Sequence, residues 1–252
     1  MFLKTDGEHV RRTFPVFSYD VIDSTNTEAK RLIESGQDGD FLVLADAQTA
    51  GRGRLGRSFF SPKGSGLYLS LVLSLHDTPF ECLSLTAAAA VAVSRSIEEL
   101  TGIRTGIKWV NDLYLDGKKL CGILAEAVND PQQSAVKAVV LGIGINLLPA
   151  SYPEELKDIV TSLNVPSLDR EELVYRICSR LLAYRDRPDN ASLMEEYRER
   201  SVVLGKRIRF LQDGTEHFGT ASGIGENGEL LVTDDAGSLH TLSTGEITVR
   251  LV

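Results

Sequence analysis

Between Gln48 and Leu67 the sequence carries Arg52, Arg54, Arg57 and Lys63 and no acidic residue. Within it, Gly51-Arg52-Gly53-Arg54-Leu55-Gly56-Arg57 places a glycine at every second or third position. Glycines so spaced let the backbone approach a ligand closely and present its N–H groups. The arginines between them offer fixed forks that suit a carboxylate or a phosphate. The run is no Walker loop, since GxxxxGK[ST] is missing. Nor is it a dinucleotide fingerprint, because arginine fills the positions facing the pyrophosphate and no capped helix follows. A solvated basic loop is the plain alternative, and the regular alternation fits it poorly.

Three weaker constellations accompany it. Lys108-Trp109-Val110-Asn111-Asp112 and Lys118-Lys119-Leu120-Cys121-Gly122-Ile123-Leu124 flank Asp116-Gly117, a strong hairpin signal. A hairpin there could aim Lys108 and Lys119 at one site, with Asn111 and Asp112 supplying hydrogen bonds or holding a metal-bound phosphate; taken alone, lysines beside such a turn are ordinarily just solvated. Gly142-Ile143-Gly144-Ile145-Asn146 marks either the close approach of a ligand or tight packing against a helix. Asp23-Ser24-Thr25-Asn26 is explained locally as a helix cap.

The elements that must position these residues follow from periodicity. Strands are expected at 14–22, 41–45, 67–75, 107–110, 113–115, 120–128 and 135–147. Thr25 with Glu28 reads as a capping box opening a helix that stops at Gly36. An Ala-rich helix at 81–100 carries Leu85, Ala89, Val93, Ile97 and Leu100 on one face. Two more helices are expected near 169–185 and 191–199. From Val203 the texture changes to five short strands between close-set turns, the pattern of a small barrel. The expected division is therefore 1–202 and 203–252.

Composition narrows the classes. A net charge of -8 excludes a general nucleic-acid binder. No apolar run is long enough to span a bilayer, and no secretory signal opens the chain, so a cytoplasmic protein is expected. Cys82, Cys121 and Cys178 are too scattered for a disulfide or zinc framework, and the four histidines show no metal-binding pair. No protein-held metal is expected; an ion would arrive bound to substrate phosphates.

Taken in order, Asp-Ser-Thr-Asn at 23–26, the Gly-Arg loop at 51–57, Lys-Trp-x-Asn-Asp at 108–112, Lys-Leu-x-Gly-Ile-Leu at 119–124 and Gly-Ile-Gly-Ile-Asn at 142–146 resemble the signature of the biotin–protein ligases. The tail is similar to that family's C-terminal SH3-like barrel, through Gly223-Ile224, Gly228-x-Leu230 and Gly245-Glu246-Ile247. The resemblance implies an α+β fold: a mixed sheet with helices, of the class II aminoacyl-tRNA synthetase and biotin ligase type, followed by the barrel. It implies formation of biotinyl-5′-AMP from biotin and ATP, then transfer of biotin to a lysine of a biotin carboxyl carrier protein. Mg2+ would enter with ATP.

By the same resemblance, Ser24, Thr25, Asn26 and Gln48 would line the biotin ureido pocket, with Gly122 and Leu124 shaping it. Gly51, Arg52, Gly53 and Arg54 would belong to the loop that closes over biotin and the adenylate. Arg54, Arg57, Phe59, Lys108, Asn111, Asp112 and Asn146 would face ATP. Lys119, Arg52 and Arg54 would be catalytic, offsetting the repulsion between a carboxylate and a phosphate. The sequence departs from the pattern in three ways. Val110 stands where proline is usual, and Phe59 where a tryptophan stacks on adenine, leaving that role to Phe59 or Phe60. Only about sixteen residues precede the match, so the DNA-binding domain of the family's repressors, and with it DNA binding, is not expected. Family members also form homodimers, sheet edge to sheet edge. The rival readings are a lipoate or octanoate–protein ligase and a non-catalytic biotin-binding module.

Overall fold

The computed structural model describes residues 14–75, 82–129, 136–212, 215–243 and 250–251. A seven-stranded mixed sheet is built from β1 (Val16–Ile22), β2 (Phe41–Gln48), β3 (Gly66–Ser74), β4 (Gly106–Lys108), β5 (Asp112–Leu115), β6 (Lys118–Asn129) and β7 (Val136–Asn146). Their spatial order is β1-β2-β3-β7-β6-β5-β4. The β1–β2 pair is parallel, which requires a crossover; α1 (Thr25–Glu34) supplies it. The remaining pairs are antiparallel.

β3 is buried along its whole length, so each face of the sheet is covered and the period-2 alternation decides what covers it. Leu67, Leu69, Leu71 and Leu73 join the main core under α2 (Cys82–Thr101). Tyr68, Ser70 and Val72 point the other way, where Val72 meets Ala29, Ile33 and Phe41 beneath α1. The alanine run 87–90 keeps α2 thin on its packed side, and α3 (Arg170–Asp186) and α4 (Asn190–Arg200) lie against it. Leu85, Val93 and Ile97 are fully buried there; truncating one to alanine should cost about 2–5 kcal/mol.

The C-terminal unit is an antiparallel sheet in the order β11-β10-β9-β8-β12. It comprises β8 (Arg207–Gln212), β9 (Thr215–Ile224), β10 (Leu230–Asp234), β11 (Leu239–Leu242) and β12 (Arg250–Leu251). Its turn at 225–229 docks on the first unit: Trp109 Nε1 donates to Gly228 O at 2.7 Å, and Ser84 Oγ donates to Asn227 O at 3.3 Å. Arg198 of α4 donates to Ile224 O at 2.8 Å and 3.0 Å.

The structure revises several expectations. α1 is capped by Ser24, whose Oγ accepts from Thr27 N, and no Thr25–Glu28 box forms. Thr25 is turned to Gln48, while Glu28 accepts from Tyr19 and pairs with Arg31. The strand expected at 107–110 ends at Lys108, because the chain turns at Trp109–Asn111 to start β5. α2 runs from Cys82 to Thr101, and position 81 lies outside the described residues. Residues 247–249, which fall in the last of the five strands expected after Val203, also lie outside them. Among the described residues, no helix is long and apolar enough to cross a membrane.

Candidate active site

The face of the sheet that carries Tyr68 and Ser70 continues across β7 and β6. Registers Ser70↔Gly142, Tyr68↔Gly144, Gly144↔Gly122 and Gly142↔Leu124 put three glycines side by side. With no side chains there, the sheet has a hollow. At Gly142 an added Cβ would lie 2.1 Å from Asn26 Oδ1, and at Gly144 2.5 Å from the Phe59 ring. A cavity of about 320 Å³ opens over this floor. Ser24, Thr25, Asn26 and Gln48 line one end; Arg52, Gly53, Arg54, Arg57 and Phe59 come from the loop. Lys108, Asn111, Asp112, Lys119, Gly122, Leu124 and Asn146 complete the lining from the hairpin and β7. Gly51 is the one candidate that does not line it. It is buried behind, where a side chain would strike Phe59 O at 2.4 Å.

The Gly-Arg loop is a small antiparallel excursion from β2. Gln48 bridges Ser61, and Arg52 bridges Ser58. Phe59 N donates to Gly51 O at 2.8 Å, and Gly53 N to Arg57 O at 2.7 Å. The reversal at the tip needs left-handed backbone at Leu55 and Gly56, φ 54° and 73°. Leu55 there is 65% exposed.

One end of the cavity is a hydrogen-bonded polar chain. Gln48 Oε1 accepts from Thr25 N at 2.9 Å and Thr25 Oγ1 at 3.2 Å, while its Nε2 donates to Ser61 Oγ at 2.8 Å. Asn26 Nδ2 donates to Glu126 Oε2 at 2.8 Å, which leaves Oδ1 to accept from Ser70 Oγ at 2.6 Å. Glu126 also pairs with Lys30 at 2.7 Å and Arg52 at 3.1 Å. Burial pulls the Glu126 carboxyl up, but Lys30, Asn26 and Arg52 together hold it below its ordinary value.

The other end gathers charge. Arg54 Nη1 donates to Asn111 Oδ1 at 3.2 Å, and Asn111 Nδ2 to Ile123 O at 2.8 Å. Burial lowers the Arg54 guanidinium from its ordinary value, opposed by the nearby Asp112. Lys119 Nζ lies 2.7 Å from Asp112 Oδ1; yet that buried oxygen receives no hydrogen bond, so the contact is an ion pair poorly aligned for one. The Lys119 backbone is fixed from both sides, its N donating to Ile159 O and its O accepting from Thr161 N, each at 2.9 Å. Lys108 Nζ donates to Tyr114 Oη at 3.2 Å and sits 5.0 Å from that ring. Asn146 Nδ2 donates to Thr161 O at 3.1 Å.

Phe59 is placed on the floor, against Gly144 and Gly122 and edge-on to Tyr68 at 6.4 Å. Phe60 lies beside Tyr152, with ring centroids 6.0 Å apart. Glu126, Ser70 and Ser61 were missed in the sequence, as were Tyr114 and Tyr152. Ser70 had a usable signal, a lone hydroxyl in a strand of leucines; Glu126 had none. Among the described residues, no group of three or more His, Cys, Asp or Glu side chains could hold a metal ion.

A mixed sheet with a cation-lined hollow on one face and a small antiparallel sheet docked behind it make a two-unit architecture built to bind an anionic ligand. The family model described as the biotin/lipoate A/B protein ligase family matches residues 18–146, and the one described as the biotin protein ligase C-terminal domain matches 203–250. The bifunctional ligase/repressor BirA of Bacillus subtilis is 39% identical over 93% of this chain and 73% of its own length. The biotin–[acetyl-CoA-carboxylase] ligase of Mycobacterium tuberculosis is 35% identical over 89% and 85%. The structure of the Aquifex aeolicus biotin protein ligase in complex with biotin and ATP superposes with a TM-score of 0.80 at 30% identity, covering 94% and 99%. The chain belongs to the biotin/lipoate A/B protein ligase family.

Proposed function

We propose that this chain joins biotin to AMP at the expense of ATP and then passes biotin to a lysine of a biotin carboxyl carrier protein. The observation that carries the reading is the convergence of Arg54 and Lys119 on one end of a cavity whose other end is lined by the uncharged side chains of Ser24, Thr25, Asn26 and Gln48, with Arg52 beside them on Glu126. A fused ring bearing one urea group needs donors and acceptors without net charge, and Ser24, Thr25, Asn26 and Gln48 offer them. Its valerate carboxylate then extends over the glycine floor and Phe59 toward Lys119.

The first step brings two anions together: the carboxylate oxygen attacks the α-phosphorus and pyrophosphate leaves. Lys119, Arg54 and Arg52 offset that repulsion and stabilise the charge developing on the phosphoryl oxygens. Holding both reactants in one cavity removes most of the entropic part of the barrier. Asp112, whose buried Oδ1 faces Lys119 Nζ at 2.7 Å and accepts no hydrogen bond, is the cavity carboxylate that would hold a magnesium ion carried by the triphosphate. Magnesium is commonly held by one or two carboxylates plus phosphate oxygens, so a cluster of three is not needed. Arg57 and Lys108, which also line the cavity, would meet the outer phosphates. Phe60 with Tyr152 offers the aromatic surface for adenine in place of Phe59. In the second step a neutral lysine amine attacks the acyl carbon, AMP departs, and the amine loses a proton. The loop over the mixed anhydride excludes water meanwhile.

Incubating the chain with ATP, Mg2+, labelled biotin and a carrier domain tests this directly. Biotin transfer is expected. Lipoyl transfer instead would favour the other activity named for the family, and tight biotin retention without turnover would make the chain a binding module.

A further inference from the structure

Glu126 lies on β6 with its side chain 16% exposed, behind the cavity wall. Both carboxylate oxygens are fully used. Oε1 meets Lys30 Nζ at 2.7 Å and Arg52 Nη2 at 3.1 Å; Oε2 meets Asn26 Nδ2 at 2.8 Å and Arg52 Nη1 at 3.3 Å. One side chain therefore joins three pieces of chain: helix α1, the Gly-Arg loop and the sheet. Two of its partners, Asn26 and Arg52, line the cavity, and Glu126 itself does not.

The direction of the Asn26 amide depends on this contact. With Nδ2 committed to Glu126 and, at 3.4 Å, to Leu124 O, Oδ1 faces Ser70, whose hydroxyl lies 2.6 Å away. The Ser70 hydroxyl also lies 2.8 Å from Thr25 Oγ1, so Asn26, Ser70, Thr25 and Gln48 form one connected polar chain. The amide at the head of that chain is thereby oriented by Glu126. We propose that Glu126 is a positioning residue for the ring of biotin, orienting Asn26 and tethering Arg52 so that this end of the cavity is formed before substrate arrives. This rests on the biotin reading above.

An amide at position 126 reverses the arrangement. Every partner is a donor and each oxygen meets two of them, so a glutamine Nε2 in either place would face two donors and satisfy neither. A misoriented Asn26 would present the wrong group to the ring, and a tenfold loss of affinity corresponds to about 1.4 kcal/mol. The experiment compares wild type, Glu126→Gln and Glu126→Asp in the full chain, measuring biotin dissociation by calorimetry and the KM of each substrate in pyrophosphate release. E126Q should raise the biotin dissociation constant and KM by about tenfold and leave the ATP KM within about twofold. E126D keeps the charge and should recover most of the loss, which also serves if E126Q does not fold. Biotin affinity within twofold of wild type in E126Q, equal losses for both substrates, or an E126D as impaired as E126Q overturns the proposal. A wild-type chain that binds no biotin overturns the underlying functional reading instead.

Discussion

Replacing Gly142 by alanine would place a methyl 2.1 Å from Asn26 Oδ1, 2.8 Å from its Cγ and 3.0 Å from its Nδ2. Ordinary non-bonded contacts lie near 3.5 Å, so a displacement of roughly 1 Å or more is needed. Asn26 cannot easily yield: it is 4% exposed and held by Glu126, Ser70 and Leu124. The strand cannot either, because Gly142 sits between β3 and β6 in mid-sheet. Overpacking of this kind costs about 1–3 kcal/mol. For a chain of this size that corresponds to a fall in Tm of about 2–4 °C per kcal/mol. The functional cost should be larger, since a shift near 1 Å at a substrate-positioning group can lower the rate on the order of 100-fold. Gly144→Ala is the control. Its methyl meets the Phe59 ring at 2.5–3.0 Å, and that half-buried ring sits on a loop and can tip, so its Tm should move less. Thermal denaturation followed by circular dichroism, with biotin-dependent pyrophosphate release on the same samples, measures both. A Gly142→Ala variant with wild-type Tm and biotin KM would refute the argument that Asn26 is immobile and that the glycine exists to admit it.

Lys119→Ala should abolish adenylate formation while leaving the fold intact, and near-normal pyrophosphate release would exclude the role given to it. Asp112→Asn should raise the Mg2+ concentration needed for half-maximal pyrophosphate release, and an unchanged magnesium curve would count against Asp112 as the ion's carboxylate. In acid, the Glu126 carboxyl, held below 4.5 by its cationic partners, stabilises the fold above that pH and ceases to as pH falls through the lowered value. The Tm difference between wild type and E126Q should accordingly shrink on going from about pH 6 to about pH 3; a constant difference would mean the charge plays no part. Trp109→Phe removes the donor to Gly228 O and leaves a carbonyl unpaired, costing about 1–3 kcal/mol, readable as a fall in Tm.

The sequence shows the order of elements well because period and punctuation agree: Gly36, Gly102 and Asp116-Gly117 each end or reverse an element where expected. The loop chemistry was legible for the same reason, since glycine and arginine alternate in a short window. What stayed hidden depends on register. Nothing local shows that Gly122, Gly142 and Gly144 become neighbours, because their adjacency is fixed by pairing across β6 and β7. Glu126 looks like any charged residue on a strand near an edge, and only the fold brings Asn26 and Arg52 to it from 100 and 74 positions away. The cap of α1 was misread by one residue because Thr25 is claimed by Gln48, a tertiary contact that outbids local capping.

The bond from Trp109 to Gly228 O joins the C-terminal unit to the turn that carries Asn111 and Asp112. Any molecule that grips this turn more firmly when the two units are docked must, by reciprocity, hold them together more firmly in return. Nucleotide bound at that turn should therefore protect the amides of 225–229 from hydrogen exchange although those residues do not line the cavity. The small sheet would then behave as a distant gauge of occupancy.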